Sequence, residues 1–248
     1  MASKKERLDV ALVRRGLAPS RERARVLIMA GRIYLGDRVL DKPGMLVPLD
    51  ADYRLAGTPD ELKYASRGGL KLEKALETFH LDPSGLVALD VGASTGGFTD
   101  CLLQHGAKRV YAVDVGRAQL AWKLRNDPRV VVMEHTNIRN VSSLPEVIEC
   151  AAIDVSFISL RLILPAMVAL LARQAWVVAL VKPQFEAGKA EADRGAGVIS
   201  DPAVHERVLN ELQDWIREHT PFLINGLTDS PIYGREGNRE FLLYLSLG

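Results

Sequence analysis

Lys182 directly follows an apolar run, residues 177–181, and is fixed on its other side by Pro183. Asp154 lies near the end of a second apolar run, 151–155, and Glu240 opens a third, 240–245, after the glycine-containing loop 234–240. Lys71 falls on an amphipathic stretch further upstream. A lysine beside carboxylates at the end of a buried strand can take or orient the proton of a hydroxyl nucleophile. The competing reading is a structural Lys–Asp ion pair under a loop. A second set sits in residues 87–100, VALDVGASTGGFTD. An apolar run ending in Asp90 leads into a glycine turn with Gly92, Ser94, Gly96 and Gly97, and then into a stretch able to start a helix. Strand, glycine turn and helix N-terminus let backbone approach a nucleotide-like ligand closely. Ser94 stands where the dinucleotide pattern G-x-G-x-x-G has its second glycine, which disfavours a pyrophosphate and hence NAD. Asp114 closes the next apolar run about 20 residues on, where such folds place the acid that holds a ribose. Glycine turn and Asp114 together favour an S-adenosylmethionine site over a purely structural βα turn.

Alternating strands and helices must position these groups. Strands are expected at 87–90, 110–114, 130–133, 151–155, 176–181, 223–227 and 240–245. Helices are expected from Ser66 to about Phe79, and over 98–105, 117–125, 158–172 and 202–218, the last capped by Asp201. That alternation predicts an α/β, doubly wound sheet with its functional residues at the carboxyl ends of the strands. Ahead of it, residues 7–15 and 20–30 read as two helices, the second capped by Ser20 with an apolar face of Ala24, Val26, Leu27 and Ala30. A hairpin follows, 32–35 and 38–40, turning at Gly36-Asp37. Arg21, Arg23 and Arg25 crowd the first turns of the second helix, where the macrodipole opposes them, so they read better as phosphate contacts. Residues 56–65, with Gly57 and Pro59, read as a linker.

Charge adds a direction. Net charge is +1, yet residues 1–55 carry 12 Lys and Arg against 7 Asp and Glu, so the first segment is the one suited to nucleic acid. Two cysteines without metal-ligand spacing imply neither a disulfide framework nor a metal site, and a reducing compartment fits. No secretory signal is expected from the charged opening, and the apolar region 158–181 is interrupted by Arg161, Arg173 and Gln174, against a membrane span.

The stretch RLDVALVRRGLAPSRERARVLIMAGRIYLGDRVLDKPG resembles the RNA-binding module of small-subunit ribosomal protein S4. Its leucine-rich first helix, Ser20-Arg21 helix start, Gly31, and hairpin ending at Val39 and Lys42-Pro43 carry the likeness. The resemblance implies that Arg21, Arg23, Arg25, Arg32 and Lys42 face RNA, with Arg67 added at the start of the second domain. Lys71, Asp154, Lys182 and Glu240 match in order and surroundings the Lys-Asp-Lys-Glu tetrad of FtsJ-like RNA 2′-O-ribose methyltransferases. With YASRGGLKL, AAIDVSFISL, LVKPQFEAGK, SDPAVHERV and GREGNREFLLYL, the chain resembles the TlyA branch, which also carries the hemolysin A label. The expected architecture is an S4-like α+β domain over 1–55, a linker over 56–65, and a Rossmann-like class I methyltransferase domain over 66–248.

The resemblance implies S-adenosylmethionine-dependent methylation of a cytidine 2′-hydroxyl in ribosomal RNA. Lys182 would deprotonate or orient the hydroxyl, Asp154 and Glu240 would fix Lys182, and Lys71 would help hold the ribose. Asp90, Gly92, Ser94, Gly96, Gly97 and Asp114 would line the donor site, and Asn137 is the nearest counterpart of the acid that contacts adenine in the wider fold. Where the chain starts and stops resembles the short form, associated with large-subunit RNA alone. The linker lacks the Arg-x-Trp-type motif of some members. Two other classes compete: a non-catalytic RNA-binding assembly factor, which an intact tetrad argues against, and a membrane-lytic protein, which no stretch supports.

Overall fold

A computed structural model describes residues 5–29, 31–36, 38–49, 51–55, 63–188, 191, 197–234 and 237–248. The chain divides into two compact units, Met1–Arg67 and Gly68–Gly248. Most of the expected linker, 56–62, together with Asp37 of the hairpin turn, lies outside the described residues.

In the first unit, α1 (Leu8–Arg14) and α2 (Arg21–Met29) pack around Leu8, Ala11, Leu12, Ala24, Leu27 and Ile28. Ser20 caps α2, its hydroxyl accepting from the Arg23 N–H at 3.1 Å. The buried face of α2 is Ala24, Leu27 and Ile28, whereas Val26 is only half-buried and Ala30 is outside the described residues. The i, i+3, i+4 spacing selects 24, 27 and 28 and leaves position 26 off the stripe. Two short sheets complete the unit. β1 (Lys5–Arg7) pairs antiparallel with β4 (Leu46–Pro48), and β2 (Ile33–Leu35) lies between β3 (Arg38–Val39) and β5 (Tyr53–Leu55). The β2–β3 hairpin was expected; β1, β4 and β5 were not, because three residues are too few to display a two-residue period.

Asp9, fully buried on α1, binds Arg7 Nε at 2.9 Å and Arg21 at 3.0 Å. Burial works to raise its pKa, and the hydrogen bonds from Arg7 and Arg21 outweigh it, holding the carboxyl below its usual range. Asp9→Ala is therefore expected to destabilise this unit by about 2 kcal/mol, the worth of charge-assisted bonds to one buried acceptor. Hydrogen-exchange protection of α1 and α2 checks it; unchanged protection would show that the pair contributes nothing.

The second unit is a seven-stranded sheet in the order β11-β12-β10-β9-β6-β7-β8. Its strands are β6 (Val87–Val91), β7 (Arg109–Val113), β8 (Val130–Met133), β9 (Ile148–Ile153), β10 (Leu171–Val181), β11 (Phe222–Asp229) and β12 (Phe241–Leu247). β12 runs antiparallel to both neighbours, while β6 through β10 pair in parallel. β6 is buried at every position, as expected of an apolar run with helices on both faces. The helices are α3 (Gly68–Phe79), α4 (Gly97–Gln104), α5 (Trp122–Arg125), α6 (Leu160–Met167), α7 (Pro183–Glu186) and α8 (Pro202–His219). From β6 the chain winds outward through β7 and β8, then returns to lay β9 on the other side of β6. That reversal opens a crevice at the carboxyl ends of β6 and β9, where open α/β sheets bind ligands.

Two helices are shorter than the sequence suggests. Only Trp122–Arg125 of the expected helix 117–125 is α-helical, because Ala118 takes a left-handed backbone, φ +48, ahead of it. The expected helix 158–172 ends at Met167 in a 3₁₀ turn, Val168–Leu170, and β10 already begins at Leu171. Residues 162–172 are continuously apolar, so periodicity alone does not separate that helix from the strand that follows.

Candidate functional site

The register of the sheet assembles the tetrad. Val181 pairs with Phe241, which places Lys182 and Glu240 at the same end of adjacent antiparallel strands. Asp154 follows β9, the parallel neighbour of β10. Lys182 Nζ lies 2.6 Å from Asp154 Oδ1 and donates to Ser156 Oγ at 3.0 Å. Lys71, in the first turn of α3, donates to Glu240 Oε2 at 2.5 Å. Glu240 thus pairs with Lys71 in this geometry, and Asp154 holds Lys182. Lys71, Lys182 and Glu240 are all buried, so the charges are retained by pairing. Burial works to raise the Asp154 carboxyl, but the charges of Lys182 and then Lys71 hold it below its usual range, so it stays ionised. An ammonium has three donors. Asp154 and Ser156 take two from Lys182, and the third is available to a substrate oxygen.

Gly234 belongs to this arrangement in a way the sequence did not disclose. A Cβ there would meet Glu240 Oε1 at 2.2 Å, so a side chain would force the carboxylate that holds Lys71 to shift.

The glycine turn lies in the crevice beside Asp154. Gly92 has φ +88, and a Cβ on it would stand 2.4 Å from the Asp154 carbonyl oxygen. Only glycine lets β6 pass that close to the loop after β9. Gly96 is the N-cap of α4, and Gly97 begins the helix. Asp114 follows β7; its Oδ2 accepts from the Ser94 N–H at 2.7 Å and its Oδ1 from the Gly116 N–H at 2.6 Å. Each carboxylate oxygen keeps a lone pair for a ribose hydroxyl. Asp90 is different: it is fully buried beneath the turn, with Oδ2 accepting from Thr99 Oγ1 at 2.6 Å. Its Oδ1 has no partner among the described residues. Burial first, then the nearby charges of Asp154 and Asp114, push its carboxyl up to about 7 despite the Thr99 bond. Asn137 caps a 3₁₀ turn, its Oδ1 accepting from the Arg139 N–H at 3.1 Å. Its amide N–H₂ is the end left to meet an acceptor.

Phe157 was missed as a site residue, although it stands three positions after Asp154. It is 87% exposed, at φ +64, with its ring 5.1 Å from that of Phe185. Left-handed backbone in a bulky residue is unfavourable and collects at functional sites. Glu134 was missed too. Its carboxylate accepts from the N–H groups of Ala118, Gln119 and Leu120, where Ala118 at φ +48 interrupts the helix.

The RNA candidates occupy the first unit. Arg25, Lys42 and Arg67 are exposed, Arg23 and Arg32 are half-buried, and Arg67 lays its guanidinium against Gly31. Arg21 is 60% exposed at its side chain but also braces Asp9, so it has a structural task besides any phosphate contact. Among the described residues no cluster of His, Cys, Asp or Glu is arranged to hold a metal ion, and no helix is long and apolar enough to cross a membrane.

The S4 domain family matches residues 6–52, and the FtsJ-like methyltransferase family matches residues 64–247. YqxC of Bacillus subtilis (strain 168) is 52% identical, over 99% of this chain and 87% of its own length. TlyA of Mycobacterium tuberculosis, named a 16S/23S rRNA (cytidine-2′-O)-methyltransferase, is 44% identical over 98% of this chain and 90% of its own. A solved Streptococcus thermophilus structure bearing the hemolysin label matches with a TM-score of 0.76 and 46% identity, over 99% of this chain and 90% of that one.

Proposed function

Because the chain belongs to the FtsJ-like methyltransferases, in the TlyA branch that joins an S4 domain to that fold, we propose that it methylates the 2′-hydroxyl of a cytidine in ribosomal RNA. The observation that carries the reading is the contact of Lys182 with Asp154 next to the Gly92 turn. A group that handles a hydroxyl proton and a turn that admits an adenosyl ligand share one crevice.

The donor proposed is S-adenosylmethionine, which supplies a methyl group on a sulfonium, a good leaving group. The residues fit it. Gly92 lets the turn lie directly against the Asp154 carbonyl, Asp114 offers two oxygens to ribose hydroxyls, and the unpartnered Oδ1 of Asp90 lies under the turn. The Asn137 amide suits the adenine edge as a donor to a ring nitrogen.

On the acceptor side, Lys182, as an ammonium, uses its remaining donor to hold the 2′-oxygen in line, and the hydroxyl proton released as the oxygen takes the methyl group passes to the ionised Asp154 carboxylate. Lys71, held by Glu240, braces the ribose. Phe157 offers a face on which the cytosine stacks, worth about 1–3 kcal/mol for a base on an aromatic ring. Arg21, Arg23, Arg25, Arg32, Lys42 and Arg67 engage phosphates, which fixes position without reading sequence. Much of the acceleration comes from holding two reactants in line. Ribosomal RNA as substrate makes the cytoplasm the working compartment, consistent with the buried free thiols Cys101 and Cys150.

The test is transfer of labelled methyl from S-adenosylmethionine to unmethylated small and large ribosomal subunits. Label on a cytidine ribose in either subunit is the expected result, and its position identifies the subunit. Label on a base would overturn the 2′-hydroxyl reading in favour of a base methyltransferase, and none despite donor binding would overturn it in favour of a non-catalytic assembly factor.

A further inference from the structure

The segment after Asp114 is held by a contact that neither the tetrad nor the glycine turn supplies. Glu134 follows β8 directly. Its Oε2 accepts from the Ala118 N–H at 2.9 Å, and its Oε1 from Gln119 at 3.0 Å and Leu120 at 3.3 Å. Arg125, from α5, donates to the same Oε1 at 2.5 Å. Three successive backbone donors converging on one carboxylate fix the local path of the chain, and Ala118 adopts φ +48 to present them. The Arg125 hydrogen bond first, with the backbone donors, holds the Glu134 carboxyl down to about 2 against the effect of burial. The clamp is therefore ionised at any pH at which the protein works.

What the clamped segment touches is the donor turn. Gln119 Oε1 accepts from Ser94 Oγ at 3.2 Å, and the Gln119 amide nitrogen lies 2.0 Å from where a Cβ on Gly116 would stand. That same Cβ position is 3.0 Å from Asp114 Oδ1, so the amide sits beside the ribose-binding carboxylate. Leu120 and Leu124 press on the turn itself, at 2.8 and 2.2 Å from a Cβ on Gly96. The Ala121 N–H donates to the Thr95 carbonyl at 3.1 Å. Residues 118–121 thus form one wall of the donor crevice, and what fixes them is Glu134.

We propose that Glu134 is a positioning residue for the methyl donor: by tying down residues 118–120 it sets Gln119 beside Asp114 and Ser94 and closes Leu120 on the glycine turn. This rests on the reading of the crevice as an S-adenosylmethionine site. Glu134 touches neither donor nor RNA. Its loss leaves Lys182, Asp154, Lys71 and Glu240 in place, so the effect falls on donor affinity and not on the chemical step.

Calorimetric titration of the full chain with S-adenosylmethionine and S-adenosylhomocysteine tests it, using wild type, Glu134→Ala, Glu134→Gln and Gln119→Ala. Donor KM and kcat on ribosomal subunits are measured in parallel. Glu134→Ala is expected to weaken both ligands at least tenfold and to raise donor KM equally, with kcat at saturating donor and the KM for RNA within twofold of wild type. Glu134→Gln keeps one carbonyl acceptor for the backbone donors and recovers part of the loss. Gln119→Ala, which leaves the clamp untouched, is expected to weaken binding severalfold, and it carries the test if Glu134→Ala does not fold. Wild-type binding with unchanged affinity in Glu134→Ala, or in Gln119→Ala where only that variant folds, overturns the proposal. So does a fall in kcat at unchanged donor KM. Failure of the wild type to bind either ligand instead removes the donor-site reading on which the proposal stands.

Discussion

Lys182→Ala is expected to reduce methyl transfer by about 10³-fold, within the range for losing a positioned proton-handling group. S-adenosylmethionine affinity should stay within twofold, because Lys182 contacts Asp154 and Ser156 and none of the glycine turn. The variant also strands Asp154, whose carboxylate loses its nearest cation while keeping the more distant Lys71. Breaking such a pair from one side destabilises by several kcal/mol when it is fully buried. The Asp154 side chain is 24% exposed, so a smaller loss is expected, on the order of 1–2 kcal/mol. Lys182→Met with Asp154→Asn removes the pair as a unit. It should recover the lost stability and remain inactive, separating chemistry from folding. Activity within tenfold of wild type in Lys182→Ala would remove Lys182 from the mechanism and leave it a structural ion-pair partner.

The second large effect concerns stability. Asp90 is fully buried, and its carboxyl titrates near 7 in the folded chain against about 3.9 when unfolded. Between those values the folded chain holds a proton that the unfolded chain has released. Stability therefore falls as pH rises from about 4 to about 7, and the full penalty stands above 7. Asp90→Asn carries no such penalty and can still accept the Thr99 hydrogen bond. Its stabilising effect is expected to be small near pH 4.5 and to reach, as an upper figure, on the order of 4 kcal/mol at pH 8. Thermal unfolding of wild type and variant across that range checks it. Parallel pH dependence in the two proteins would show that Asp90 does not titrate there. The same substitution should weaken donor binding, since the orphaned Oδ1 under the glycine turn becomes an amide. Higher stability at lower function is the usual signature of a buried group retained for its task.

Much of this molecule was legible without coordinates. β6 and β7 announce themselves as apolar runs ending in or just before an acid, α8 as a long amphipathic stretch with Asp201 at its cap, and α2 as a helix begun by Ser20. The glycine turn and Asp114, some 20 residues apart, pointed to the donor crevice because strand, turn and acid are encoded locally. Asp154, Lys182 and Glu240 were legible as candidates through their position at strand ends, and Lys71 through its place in the order of the tetrad.

Which carboxylate serves which lysine was not. Lys71 and Glu240 are 169 positions apart, and they meet because β12 runs antiparallel to β10 and α3 packs beside it. No local signal specifies that pairing, and a slip of one residue in the β10–β12 register would turn Glu240 to the other face. The expected helix over 117–125 failed for a related reason. Local propensity favoured it, but Ala118 takes a left-handed backbone, φ +48, as the N–H groups of residues 118–120 turn to the Glu134 carboxylate beyond β8. Nothing in the sequence marks Phe157, and only a left-handed backbone after β9 turns its ring into solvent. Sequence by itself determined the longer elements, the caps at Ser20 and Asp201 and the residue types at the strand ends, because those follow from neighbours in the chain. Partners, burial and charge state waited on tertiary structure, because each depends on groups that only the sheet brings within 3 Å of one another.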